Sequence, residues 1–110
     1  MGNWDDIIKL SKKEIVFESH ADSVIITTKG SCWWIADISI DGVEFFDFRG
    51  IDLEADSYSI THECVMFEKQ DPNTIFIKVD ANPLNKDRLI IIGLEAGDYF
   101  DRIRITQNKH

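Results

Sequence analysis

The sequence predicts an all-β domain, built as a sandwich or a barrel. Two patterns carry this. Turn signals recur at short intervals, at Ala21-Asp22, Lys29-Gly30, Asp41-Gly42, Arg49-Gly50, Asp71-Pro72-Asn73, Asn82-Pro83 and Gly97-Asp98. Between them lie short β-branched or aromatic runs that alternate in polarity, as half-buried strands do.

Each run has its own reading. EIVFES places Ile15 and Phe17 on one face. SVIITTK is rich in β-branched residues, which suit a pleated surface. In WWIADISI strict alternation puts Trp34, Ala36, Ile38 and Ile40 on one uncharged, inward face. Trp33, Ile35, Asp37 and Ser39 take the other, leaving Trp33 partly outward beside the Gly30-Ser31 turn. FFDFRGIDLEAD reads as two edge segments joined at Arg49-Gly50. Phe45 joins Val43 on the core face, whereas Phe46 and Phe48 have no inward place. Ile51, Leu53 and Ala55 then alternate with Asp52, Glu54 and Asp56.

TIFIKVD sets Ile75, Ile77 and Val79 against Phe76 and Lys78. RLIIIGL is apolar on both faces, as in a central strand covered twice. YFDRIRITQ alternates Ile103 and Ile105 with Arg102, Arg104 and Thr106, and EAGD joins these last two runs as a hairpin. Only WDDIIKL and DLEADSY have the composition of short helices.

Length and charge set outer bounds. A chain of 110 residues, 44% hydrophobic, fits one domain with one core. We divide it into an arm over 1–9 and a single domain over 10–110, with an insertion around 43–62. Twelve Lys and Arg against twenty Asp and Glu give a net charge of −8. That balance opposes nucleic-acid backbones and anionic lipid surfaces, both of which need basic patches. No apolar run approaches the ~20 residues of a membrane helix, so direct membrane insertion is not expected. The start MGNWDDIIKLSKK lacks signal-peptide architecture, as does a chain whose leader has been removed, so export stays open.

The two cysteines, Cys32 and Cys64, allow one bridge or two buried thiols. His62-Glu63-Cys64 cannot converge on one ion, because adjacent strand residues point to alternating faces. The acids Asp52, Glu54 and Asp56 share a spacing of two, and Asp41, Glu44 and Asp47 cluster in sequence. Calcium needs six to eight oxygens, so a solvated acidic face is the expectation, with no metal and no cofactor. No phosphate-binding loop, dinucleotide fingerprint or nucleophile elbow occurs, and the chain is not expected to be an enzyme.

From Val79 to Gln107 the pattern becomes more specific. A strand ends in Asn82, a polar turn leads to Arg88, an isoleucine-rich strand and a Gly-containing hairpin follow, and the last strand ends Ile-Thr-Gln. With EIVFES, the Ala-Asp-Ser turn, VIITTKG and the strand opening on Trp34, this resembles the BACON domain, the Bacteroidetes-associated carbohydrate-binding often N-terminal family. Met66-Phe67 stands where many members carry a second Trp. The resemblance implies an immunoglobulin-like β-sandwich of about seven to eight antiparallel strands. It also implies fold-defining roles for Trp34, Asn82, Arg88 and Gln107.

Sugar recognition needs exposed rings that stack on pyranose faces, with a few polar groups for the hydroxyls. The candidates are Trp33, Phe46, Phe48, Tyr58 and Tyr99, with Asp37, Asp47 and Arg49 as hydrogen-bonding partners. The expected function is a non-catalytic module of an exported bacterial protein that binds glycan or acts as a spacer. Such a module is periplasmic or at the cell surface, lipid-anchored in its full-length precursor. The alternative is a protein–protein interaction domain, meeting a partner or a neighbouring domain through an edge strand or the 43–59 segment.

Overall fold

The computed structural model describes residues 6–110, and nine strands form two sheets among them. They are β1 (Glu14–Phe17), β2 (Asp22–Thr27), β3 (Trp34–Ile40), β4 (Val43–Phe45), β5 (Tyr58–His62), β6 (Val65–Asp71), β7 (Thr74–Val79), β8 (Arg88–Ala96) and β9 (Tyr99–Gln107). One sheet runs β1-β9-β8-β3-β4 and the other β2-β7-β6-β5. Their inner faces share one core. Ile26, Phe67, Ile75, Ile77 and Val79 meet Ile35, Ile38, Ile90, Ile92, Leu94, Ile103 and Ile105, all of them fully buried.

The order β2-β7-β6 against β3-β8-β9 is that of strands B-E-D against C-F-G in an immunoglobulin sandwich. Two features go beyond the sequence expectation. There are nine strands, because the 43–62 segment supplies both the short edge strand β4 and the whole of β5. The sandwich is also not wholly antiparallel. β1 lies parallel to β9, with Ile15 opposite Ile105, so the first and last strands run in the same direction along one edge.

No helix forms among the described residues. Residues 53–56 instead make turns, in which the Asp52 carboxylate accepts a hydrogen bond from the Glu54 amide (3.0 Å). The alternation read there survives without a strand, since Ile51, Leu53 and Ala55 are half-buried and the three acids exposed. The rest of the helix expectation, at Trp4 and Asp5, lies outside the described residues. Residues 6–10 pack onto the sandwich. Ile8 is fully buried, and the Gly30 and Lys29 amides donate to its carbonyl (both 3.1 Å).

A polar seam closes one end. The Asn82 side chain donates to the Lys86 and Asn108 carbonyls (2.9 and 3.2 Å) and accepts from the Leu84 amide (3.1 Å). Arg88 Nη1 donates to Gln107 Oε1 (3.0 Å), and Gln107 Nε2 donates to the Asp80 carbonyl (2.9 Å). Among the described residues no buried side-chain nitrogen or oxygen lacks a partner, as a stable interior requires.

The main departure from the sequence pattern sits in β3. Its pairing with β8 slips between Ile35 and Asp37, leaving Ala36 as the extra residue of a β-bulge. The alternation is therefore reset. Trp33 and Ile35 point inward before the bulge, and Ile38 points inward after it. Trp33, expected to be partly outward, is 2% exposed; its Nε1 donates to the Pro72 carbonyl (2.9 Å) and to Thr28 Oγ1 (3.2 Å). Trp34 and Ala36, expected inward, are only half-buried.

Candidate functional site

The outer face of the five-stranded sheet carries an open groove of about 760 Å³. Strand register lays its floor out in rows. Phe100, Glu95 and Trp34 are cross-strand neighbours in one row, and Arg102, Gly93 and Asp37 in the next. The next row is Arg104, Ile91, Ser39 and Glu44, of which Ile91 and Glu44 line the groove. Neighbouring strands are ~4.8 Å apart, so Arg102 and Asp37 stand about 10 Å apart across the bare backbone of Gly93. Phe46, Phe48, Arg49 and Leu53, from the crossover that follows β4, wall the β3 side.

The bulge builds this floor. By inserting Ala36 it turns Trp34 and Asp37 to the same outer side. Gly93 completes it, because a Cβ there would collide with Asp37 Oδ1. The glycine is thus the space into which the carboxylate folds.

Phe46 and Phe100 expose 69% and 64% of their surface, and Trp34 is half-exposed between them. Among the described residues Asp37, Glu44 and Glu95 make no ion pair and no side-chain hydrogen bond. Arg102 likewise has no ion-pair partner, whereas Arg49 and Asp101 are engaged. Arg49 forks onto Asp47 (2.8 and 2.7 Å), and each holds its partner in the charged form, so the Asp47 carboxyl sits below the usual range. Asp101 is held by Lys13 (2.8 Å) and by the Tyr99 hydroxyl, which donates to it (3.1 Å). Burial, the hydrogen bond to Asp101 and the nearby acids push the Tyr99 phenol up to about 12.

The structure brings together four of the residues named from sequence, Phe46, Phe48, Asp37 and Arg49. Phe48 is nevertheless 8% exposed and packs edge-to-face on Phe45 (5.6 Å), so it supports the wall rather than offering a free face. Phe45 in turn stacks on His62 (3.9 Å), closing the open edge between the sheets, whereas Val43 is 69% exposed and outside the core. Trp33 is core. Tyr58 is half-buried, accepting a hydrogen bond from the Ile35 amide (3.1 Å), and lies away from the groove. Tyr99 is half-buried on β9 and does not line it.

Strict alternation missed Trp34, Gly93 and Phe100. Two signals pointed to them. Asp37 puts a charge into an apolar strand, and Gly93 interrupts an isoleucine run, where a glycine marks a bulge or a close approach.

A second hollow, about 600 Å³, opens at the sandwich end beside Cys32, Trp34 and Asp56. Lys69 closes its base, 3% exposed, donating to the Trp33 carbonyl (3.3 Å) under the Trp33 ring (4.5 Å). Burial lowers its pKa. The thiols are unbridged; Cys32 is exposed and Cys64 half-buried, so the pair is not the two buried thiols considered from sequence. Among the described residues no three His, Cys, Asp or Glu side chains are grouped to hold a metal ion.

No family model matches the chain, and no curated protein does. A solved structure is similar: the NMR structure of a protein from Bacteroides thetaiotaomicron, with a TM-score of 0.75 and 20% identity over 99% of this chain and 92% of that one. The two chains share a fold along nearly their whole lengths.

Proposed function

We propose that this chain is a non-catalytic, BACON-like module of an exported protein of the Bacteroidetes, and that it binds glycan in the groove over Gly93. The observation that carries the reading is the outer-face floor. Two rings, Trp34 and Phe100, flank Glu95, while Asp37 and Arg102 flank a backbone with no side chain. Flat apolar faces next to planar hydrogen-bonding groups are what a pyranose ring requires. The BACON-like sequence pattern supports the same class. Localisation at the cell surface or in the periplasm, through a lipid anchor in the precursor, belongs to this reading.

A glycan array tests it. The domain should bind at least one host or plant glycan, and Trp34→Ala should lose that binding while keeping its fold. Silence across the array at millimolar ligand would leave the spacer role.

One observation favours a second reading, a protein-docking face. Phe46 and Phe100 are large apolar side chains exposed on one groove, and such patches also suit protein partners. The contact would involve the 43–59 segment and the edge strands β4 and β5. Light scattering addresses self-association, since a chain that stays monomeric at high concentration does not dock on itself.

A further inference from the structure

Resting on the glycan reading, we infer that the groove selects sugars bearing free amino groups over their neutral N-acetylated counterparts. The charge of the lining decides this. Asp37, Glu44, Glu95 and Asp101 face Arg49 and Arg102 there. Asp101 is already paired with Lys13, and Arg49 with Asp47, which lies outside the lining. Three unpaired carboxylates remain against one guanidinium.

Their placement also favours a cation. Glu95 lies between Trp34 and Phe100 in its row, so a carboxylate is flanked by two aromatic faces. Rings and carboxylates together hold an ammonium, through the ring quadrupole and direct charge. Asp37 and Glu44 sit on the β3–β4 side, whereas Arg102 stands on β9, two strands from Asp37. At ~4.8 Å per strand the guanidinium row is about 10 Å from that acidic side, which leaves Arg102 to meet ring hydroxyls while the amine meets Asp37. Acetylation removes the ammonium and leaves the acids without a partner.

The full chain is titrated with the glucosamine tetramer, the N-acetylglucosamine tetramer and tetralysine, at a pH where the amines are protonated. The glucosamine tetramer should bind at least about tenfold more tightly than the acetylated one, the ratio one added charge-assisted contact produces. The preference should shrink as salt rises. Asp37→Asn and Glu44→Gln should each reduce it by at least about twofold without moving the melting temperature; Glu44 is exposed on an edge strand, so its variant keeps the fold. Equal or tighter binding of the acetylated tetramer overturns this inference and leaves the glycan reading standing. Tetralysine binding as tightly as the glucosamine tetramer overturns it too, since the amine would then be read without the sugar. No binding of either sugar overturns it together with the glycan reading for this class.

Discussion

Asp37 Oδ1 occupies the place that a β-carbon on Gly93 would need, one strand away on the outer face of the sheet. The bulge at Ala36 and the glycine on β8 are therefore two halves of one device. Gly93→Ala should push the carboxylate off the floor. Since the displaced atom is the free end of a side chain, the stability change should stay within about 1 kcal/mol. Glycan affinity should fall at least about tenfold if the floor is the site. Calorimetry and a ligand titration on the same variant separate the two effects.

Gly30→Ala should behave in the opposite way. A β-carbon there meets the Ile7 carbonyl, which is backbone and cannot swing aside. The segment carrying the buried Ile8 must move, and overpacking of this kind costs about 1–3 kcal/mol. Urea unfolding should show that loss, with glycan binding retained.

The adjacent tryptophans should separate cleanly. Trp33→Ala leaves a core cavity and deprives the Pro72 carbonyl of its closer donor, so it should cost about 3–5 kcal/mol. Trp34→Ala should cost about 1 kcal/mol or less and remove binding. Equal destabilisation by the two would contradict the reset of alternation in β3.

Tyr99 gives the fold an alkaline sensitivity. An unfolded tyrosine ionises near ~10, and the folded phenol at about 12. Between those values the unfolded chain has released a proton that the folded chain keeps. Stability from this group is therefore complete below the unfolded value and falls as pH rises toward the folded one. Urea midpoints at about pH 9 and about pH 11 should drop less in Tyr99→Phe than in the wild type. Equal drops would show that Tyr99 does not titrate this way.

The fold was legible because most strands obey one period. Ile75, Ile77 and Val79, or Ile103 and Ile105, face inward as alternation requires. Phe46 and Asp37 were visible as groove residues because a ring and a charge at outward positions need an explanation. What alternation cannot supply is its own interruption. One extra residue, Ala36, exchanges the roles of Trp33 and Trp34, and the charge at Asp37 is the one local sign of the slip in WWIADISI. It depends on Gly93, some fifty-seven positions away in the chain and opposite Asp37 only in the folded sheet. Phe48 escaped for a similar reason, since its cover is Phe45, brought edge-on by the loop after β4.

The most direct test of the central claim is an amide and indole NMR titration of the ¹⁵N-labelled chain with the glycan that the array identifies. The account predicts shifts concentrated at the Trp34 indole, Gly93, Glu95 and Phe100, absent in Trp34→Ala. Shifts that cluster elsewhere, or that survive in Trp34→Ala unchanged, would contradict it.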